Sequence, residues 1–333
     1  MAEVKPGKKT RTRTRARLLP TGVADSVGMI LALCALTAIF GLKAKHFFEL
    51  KTFQTIANQI PDAVVISVGV TFVLIIGGID LSVGSVLALC SAVMGAVLLR
   101  TEMPLPVAVL ACVITGLACG SINGLLISGL KLPAFIVTLG MMEIARGATY
   151  MITGSRTAYI GSRVEVIAEQ SLFGLSLPFL TALAVASAGQ FALSRTVFGR
   201  HALAVGANEQ AARYSGIGAR KVKWMVYALC GALSGVAAVI NCARLGSADP
   251  NAGTGFELQA IAAVVIGGTS LMGGRGSVVG TFLGVCIIAV LGAGLAQIGA
   301  QESTKRFITG CVIIAAVILD YYRRRLRASS GAA

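Results

Sequence analysis

The segment Leu74-Ile75-Ile76-Gly77-Gly78-Ile79-Asp80-Leu81-Ser82-Val83-Gly84-Ser85 places a carboxylate and two paired glycines between two long apolar runs. A carboxylate between hydrocarbon-facing segments is costly, and glycines there indicate an interrupted helix whose freed backbone groups are buried or line a cavity. The pattern therefore predicts a segment of a transport path. Two roles of Asp80 stay open: a residue of the path or its gate, or an N-cap for the helix that begins near Ser82.

The composition predicts an integral membrane protein of the all-α polytopic class. The 333 residues are 56% hydrophobic and 13% charged, with a mean hydropathy of +0.82, which a soluble domain of this size does not show. About ten transmembrane helices are expected. They are expected at residues 24–42, 62–77, 83–99, 105–127, 133–152, 177–193, 223–242, 259–273, 277–297 and 304–321.

The formal charge of +15 is gathered in clusters between apolar runs, which indicates membrane orientation and argues against a nucleic-acid partner. Residues 1–23 and 323–333 form basic tails that the positive-inside rule places in the cytoplasm, on either side of a membrane domain at 24–322. The basic loop 194–222 is then also cytoplasmic. Residues 43–62 carry three lysines yet fall outside, against that rule.

The glycine pair has an echo 190 residues later, where Ile266-Gly267-Gly268-Thr269-Ser270-Leu271 resembles Ile76 to Leu81. Two such breaks suggest a parallel internal repeat around a central path, although chance similarity in glycine-rich sequence is the alternative. The candidate residues of the path or gate are Gly77, Gly78, Asp80, Ser82, Gly267, Gly268 and Ser270.

Several patterns argue against nucleotide or metal binding by this chain, or indicate how its helices pack. No phosphate-binding G-x-x-x-x-G-K-[ST] loop occurs, so ATP would have to be used by a partner. No group of residues has metal-ligand spacing, and the cysteines and GxxxG spacings are expected to pack helices. Glu143 and Arg146, three residues apart in one predicted span, are expected to pair on a helix face; alternatively, Arg146 faces the path or another subunit.

A short amphipathic helix is expected within residues 199–217, in the cytoplasmic loop. Asn208 is a suitable N-cap and Gly216 a suitable residue just after the helix. A helix of this kind between two spans predicts a docking site for another protein; a solvated surface helix is the alternative.

This loop, "GRHALAVGANEQAARYSGI", resembles the coupling segment of permease subunits of ribose-type ABC importers. The segments "GGIDLSVGSVLAL", "PAFIVTLGMMEIARG", "FELQAIAAVVIGGTSLMGGRGSVVGT" and "ITGCVIIAAVILD" resemble other signatures of that family in the same order. One departure is Ala207, where the family usually has a second glycine. The positions that match the coupling motif are Gly206, Asn208, Glu209, Ala212, Arg213, Ser215 and Gly216.

The resemblance implies a transport subunit in the bacterial cytoplasmic membrane that is not itself an enzyme. Its implied partners are a second permease subunit, as a homodimer, a cytoplasmic ABC ATPase that uses ATP and Mg, and a periplasmic or lipid-anchored sugar-binding protein. The implied substrate is a monosaccharide such as ribose. The alternatives are a permease for nucleosides or branched-chain amino acids and, from another class, an ion-coupled secondary transporter, which would need ionisable residues at a central site.

Overall fold

A computed structural model describes residues 21–172, 175–312, 314, 315 and 318. The predicted C-terminal tail and residues 1–20 of the N-terminal tail lie outside these residues. The chain is largely helical. The helices are α1 (Thr21–Lys43), α2 (Leu50–Gln59), α3 (Pro61–Ile75), α4 (Val83–Arg100), α5 (Leu105–Gly129), α6 (Ala134–Thr153), α7 (Ser162–Glu169), α8 (Leu177–Arg195), α9 (Val197–Ala207), α10 (Glu209–Tyr214), α11 (Ala219–Leu245), α12 (Phe256–Ile266), α13 (Val278–Gln297) and α14 (residues 302–312).

The helical, multi-span class is confirmed, whereas the ten predicted spans are only partly matched by length and composition in the part of the chain that the structure describes. Within the described residues, α4, α5, α6, α8, α11 and α13 are long and apolar enough to cross a membrane, and α2 with α3 makes a seventh candidate that bends by 47°. The shorter apolar segments Val27–Lys43 and Phe256–Ile266 coincide with two further predicted spans.

Hydropathy alone missed helix α2 and misplaced the end of helix α12. Residues 43–62, expected as a loop, contain α2, whose apolar residues recur at helical spacing among polar ones, so that Thr52 and Ile56 are buried although half of the helix is polar. Pro61 starts α3 immediately afterwards, because proline is tolerated in the first turn of a helix. The predicted span 259–273 is also too long, since α12 already ends at Ile266.

Two very short β-ladders interrupt the all-α pattern on the side where α11 ends. β1 (Ala158–Tyr159) pairs antiparallel with β4 (Ser247–Ala248), and β2 (Ser171–Leu172) pairs with β3 (Leu175–Ser176). The first ladder ties the segment after α6 to the segment after α11. We call this side of the molecule the β1–β4 end and the opposite side the α9–α10 end.

Glycines bring α5 and α11 into backbone contact at the centre of the molecule. A Cβ at Gly116 would collide with the carbonyl oxygen of Gly231, and one at Gly120 with that of Tyr227. A Cβ at Gly235 would lie 2.8 Å from the Cα of Val113. These close approaches confirm that the GxxxG spacings are packing surfaces, and they hold α11 rigidly beside the turn that follows α3.

Candidate functional site

The turn that follows α3 is a Schellman motif that depends on Gly77. Gly77 has φ +74°, its N–H donates to the carbonyl of Leu74 at 2.9 Å, and the N–H of Gly78 donates to that of Val73 at 2.9 Å. Only glycine adopts this left-handed backbone without strain. We call residues 76–82, between α3 and α4, the first turn.

The segment that follows α12 opens with the same motif. Gly268 has φ +83°, its N–H donates to the carbonyl of Val265 at 2.9 Å, and the N–H of Thr269 donates to that of Val264 at 3.1 Å. We call residues 267–277, between α12 and α13, the second turn.

The hydrogen bonds correct the alignment of the two turns by one residue. Gly77 and Gly268 hold the same place in the motif, so the equivalent residues are 191 apart and Asp80 corresponds to Leu271 instead of Ser270. Aligning the two glycine pairs in the sequence gave an offset of 190 residues, because the sequence does not show which glycine of each pair has the positive φ.

Asp80 is buried in the first turn and supports the start of α4. Its Oδ1 accepts hydrogen bonds from the backbone N–H of Ser82 at 2.9 Å and from the Ser82 hydroxyl at 2.6 Å. Asn123 on α5 donates to the same hydroxyl at 3.1 Å. Ser82 occupies the N-cap position of α4, so Asp80, predicted as a possible N-cap, lies two residues before the observed one. It forms no ion pair with any described residue.

Two polar atoms beside this cluster are buried without a hydrogen-bond partner in the described structure. They are the Tyr227 hydroxyl and Oδ1 of Asn123. The hydroxyl lies where a side chain at position 78 would begin, so the second glycine of the pair is required by tertiary packing. Unsatisfied buried polar groups are unusual and leave the first turn with unused hydrogen-bonding capacity.

The second turn is bonded to itself and to the end of α3. Ser270 donates its N–H to the carbonyl of Arg275 at 3.0 Å, and its hydroxyl accepts from the N–H of Met272 at 3.2 Å. The N–H of Gly274 donates to the carbonyl of Ile75 at 2.8 Å. A backbone hydrogen bond therefore joins the second turn to the first.

Gly206, near the end of α9, is seated on both turns. A Cβ at this position would collide with the carbonyl oxygen of Ile75 and lie 2.7 Å from the N of Gly274. The neighbouring residue, Ala207, packs its backbone against Gly274. The structure thus brings together the coupling motif and both turns, which are separate in the sequence.

The predicted docking segment contains two helices instead of one. The Thr196 hydroxyl caps α9 by accepting from the N–H of Gly199 at 3.3 Å. The side chain of Asn208 caps α10 by accepting from the N–H of Ala211 at 2.9 Å. Gly216 has φ +81° and ends α10 in a Schellman motif. The predicted N-cap and the predicted residue after the helix are both confirmed.

Glu209 fastens α10 to α11. Its carboxylate accepts hydrogen bonds from Arg213, one turn further along α10, and from Lys223 on α11. Partial burial raises the pKa of Glu209, but the two cations lower it by more, so this pKa lies below its usual value. The carboxylate is therefore ionised at neutral pH. Within α10, the side chain of Ala212 is buried. The Ser215 hydroxyl, just after the helix, donates to the carbonyl of Ala211 at 3.0 Å.

A cavity of about 320 Å³ connects the first turn to α10. Gly77, Gly78 and Tyr227 are among its lining residues. The lining also includes four cations and one carboxylate. These charged residues are Lys131, Arg213, Arg220, Lys223 and Glu209.

Tyr214 is an exposed residue of α10 that the sequence motif did not single out. Its side chain is 92% exposed at the end of the helix, and an aromatic side chain exposed to this extent is a typical anchor for a partner protein. The sequence signal was available, since Tyr214 directly follows Arg213 in the matched motif.

Asp62 forms a buried ion pair at the β1–β4 end that the sequence did not indicate. Its carboxylate accepts from Asn241 at 2.8 Å and from Arg244 at 3.0 Å, and both donors lie on α11. The pair joins residues 182 apart, a separation at which no sequence spacing rule operates.

The expected pair of Glu143 and Arg146 is wrong. Nη1 of Arg146 donates to the carbonyls of Pro250 at 2.6 Å and Ala252 at 3.0 Å, in the segment between β4 and α12. Glu143 is exposed and forms no hydrogen bond or ion pair with any described residue. A loop from another part of the chain supplies a better set of acceptors for the guanidinium than the carboxylate one turn away.

These features define a multi-span helical membrane protein in which one small helix, α9, is seated on two helix-ending turns and a second small helix, α10, follows it and is bonded to α11. A sequence model of the family described as "Branched-chain amino acid transport system / permease component" matches residues 52–317. The chain belongs to this permease family.

Individual relatives match over most of the chain. The ribose import permease protein of Escherichia coli (strain K12) is 39% identical over 296 residues, which are 87% of this chain and 92% of the relative. That of Bacillus subtilis (strain 168) is 40% identical over 302 residues, 90% of this chain and 94% of the relative. The fructose import permease protein of Rhizobium meliloti is 33% identical over 313 residues, 90% of this chain and 85% of the relative. No solved structure matches the chain.

Proposed function

We propose that this chain is the membrane-spanning permease subunit of an ABC importer for a ribose-like monosaccharide. One observation carries the proposal: ribose import permeases from two distant bacteria are about 40% identical to it along nearly their whole length. The subunit contributes no ATP chemistry of its own. ATP and Mg are used by a separate cytoplasmic ATPase, and a periplasmic or lipid-anchored binding protein delivers the sugar.

The α9–α10 end is the proposed docking site of the ATPase in the cytoplasm. The basic loop that carries α9 and α10 supports this orientation, which also places both chain termini inside. The β1–β4 end then faces the binding protein. We propose ten spans in a bacterial cytoplasmic membrane, two copies of the chain as a homodimer, and the two turns as corresponding parts of a parallel repeat.

In this proposal, α10 transmits motion from the ATPase to the path. Arg213 and Tyr214 contact the ATPase, and Glu209 passes the displacement to α11 through Lys223. Gly206 passes the same displacement to both turns, because it has no free space against either of them. The path or gate consists of Gly77, Gly78, Asp80 and Ser82 in the first turn and Gly267, Gly268 and Ser270 in the second. ATP and the loaded binding protein then shift the populations of two packings of the same helices.

A branched-chain amino acid is the second candidate substrate, because the description of the matching family names it. Uptake of labelled D-ribose and labelled L-leucine by the same proteoliposomes separates the two. Ribose uptake that leucine does not inhibit supports the sugar assignment. Leucine uptake without ribose uptake contradicts it.

The docking assignment is tested in proteoliposomes that contain the permease with its cognate ATPase and binding protein. Replacing Arg213 and Tyr214 together by alanine removes two exposed anchors without touching the bond between Glu209 and Lys223. We expect at least a tenfold loss of ATPase co-purification and of ATP-driven uptake, because Arg and Tyr anchors at an interface each contribute about 2 kcal/mol.

The matched control is Arg156→Ala, an exposed arginine at the β1–β4 end, which should leave ATPase co-purification unchanged. Glu209→Gln should weaken coupling by loosening α10 on α11 while the permease still elutes as a folded species on gel filtration. Normal ATPase co-purification and uptake in the Arg213 and Tyr214 double variant would exclude α10 as the docking site.

A further inference from the structure

Helix α6 packs on one face only. Its buried residues Thr138, Met141, Ala145 and Thr149 lie along one side, and this side contacts α4 and α5. The opposite side carries Gly140, Glu143 and Gly147. A Cβ built on either of these glycines would have no atom within 4 Å, so the surface around Glu143 is open.

Glu143 lies near the middle of this span. It is the tenth residue of a helix of 20, which places it about 14 Å along an axis of about 30 Å. It is exposed and has no partner among the described residues, and Arg146, the nearest cation on its own helix, donates to the carbonyls of Pro250 and Ala252. A carboxylate at this depth facing hydrocarbon would be strongly unfavourable.

The outer faces of other spans show what a lipid-facing surface of this protein looks like. On α5 the exposed positions include Leu110, Ile114 and Leu117. Across the six helices that qualify as spans, Glu143 is the only carboxylate. The open face of α6 also carries exposed apolar side chains, including Ile136 and Leu139. What sets this face apart is a carboxylate flanked by two glycines, which a water-filled space accommodates and lipid does not.

We propose that the open face of α6 lines the path between two copies of this chain, and that Glu143 accepts hydrogen bonds from the hydroxyls of the sugar as it crosses. This rests on the proposed function, from which the second copy and the sugar are taken. A carboxylate accepts several hydrogen bonds and donates none when ionised, which matches the vicinal hydroxyls of a monosaccharide. The open positions at Gly140 and Gly147 leave room for the ring on either side.

The same carboxylate makes the path selective for uncharged sugars. Two copies place two carboxyl groups along one path, and rings of acidic side chains in a path disfavour anions. Glu143 is therefore a specificity-determining residue that disfavours phosphorylated sugars while it binds neutral ones.

The position of Glu143 is tested first by thiol labelling, which does not depend on transport. The background is the chain with its exposed cysteines, Cys34 and Cys311, changed to serine. Glu143→Cys and, as the lipid-facing control, Leu117→Cys are then treated with the membrane-impermeant anionic methanethiosulfonate MTSES. Labelling needs a hydrated thiolate, so we expect the first variant to react at least tenfold faster than the second. Equally slow labelling would overturn the proposal.

The role of Glu143 is tested next by uptake of labelled D-ribose in proteoliposomes with the cognate ATPase and binding protein. Glu143→Gln keeps the shape and loses the charge, and Glu143→Leu loses both. We expect about tenfold weaker uptake at low ribose for the Gln variant, as for a lost hydrogen bond to a charged group, and a larger loss for the Leu variant. D-ribose 5-phosphate should inhibit the Gln variant more than the parent chain.

The two levels of failure are distinguishable. A parent chain that takes up no ribose contradicts the proposed function, whereas the labelling result still reports whether the α6 face is hydrated. The role of Glu143 in selectivity is overturned if the parent chain transports ribose and both variants, Glu143→Gln and Glu143→Leu, match it. Matching means the same uptake and the same inhibition by D-ribose 5-phosphate as the parent chain.

Discussion

The two turns, after α3 and after α12, share a backbone and differ in what they bury. Both helices end in the same hydrogen-bonded motif, with Gly77 and Gly268 as the left-handed residues. The first turn encloses Asp80 within a polar cluster that includes Ser82 and Asn123. The second turn is packed backbone to backbone, with no space for a Cβ between Gly267 and Gly280. The second turn also buries the hydroxyls of Thr269 and Ser270, but it holds no carboxylate. The same backbone motif therefore encloses an acid in the first turn and forms a tightly packed seat for α9 in the second.

This difference shows how one glycine-rich pattern serves two purposes. A helix-ending glycine satisfies the last carbonyls of the helix wherever it occurs, so the motif says nothing about the surroundings. The surroundings come from α11 and α5 at the first turn and from α13 and α9 at the second. The two turns meet where the N–H of Gly274 donates to the carbonyl of Ile75. A displacement of one turn therefore moves the other.

The largest effect is expected where one residue touches both turns. Gly206→Val forces α9 away from the carbonyl of Ile75 and from Gly274, and overpacking against rigid backbone costs about 1–3 kcal/mol or more. We expect uptake below a tenth of the parent and a lower melting temperature of the detergent-solubilised protein. Gly129→Ala, at a position where a Cβ meets nothing within 4 Å, is the control. If the two variants had the same uptake and the same melting temperature, the contact of α9 with the turns would not be needed for transport.

A smaller effect is expected from removing the carboxylate of Asp80 from the first turn. Asp80→Ala removes the acceptor for Ser82 and should lower the free energy of unfolding by about 1 kcal/mol, as for a lost helix cap. Asp80→Asn keeps an acceptor oxygen and should be nearly as stable as the parent. Thermal unfolding measures both, and ribose uptake decides the role. Reduced uptake with normal stability in the Asn variant supports a gate, and normal uptake supports capping alone.

The smallest effect tests the offset of 191 residues. Asparagine is the best replacement for glycine in the left-handed region, so Gly77→Asn and Gly268→Asn should each cost well under about 1 kcal/mol. Gly267→Asn should cost more, because Gly267 lies against the backbone of Gly280. Thermal unfolding of the three variants gives the ranking. If Gly267→Asn is the mild variant and Gly268→Asn the severe one, the offset of 190 is correct.

The sequence predicted local features well. Helical membrane segments follow from apolar runs, and the ends of α10 follow from Asn208 and Gly216, because hydropathy and capping act within a few residues. The amphipathic helix α2 was missed, because a search for long apolar runs does not register a helix with one polar face. The end of α12 was placed too late, because the apolar run was extended across the break at Gly267 and Gly268. The roles of the coupling and gate residues remain predictions.

By itself, then, the sequence determined the class of the protein, the glycine-paired breaks as sites of interest, and the family that its motifs resemble. Only the tertiary structure decided that Gly206 sits on both turns, that Asp62 pairs with Arg244 and that Arg146 bonds to the segment after β4 instead of Glu143. The physical reason is range. Apolar runs and caps depend on neighbours along the chain, whereas these contacts join residues 68 to 182 positions apart, and their geometry exists only once the helices have packed.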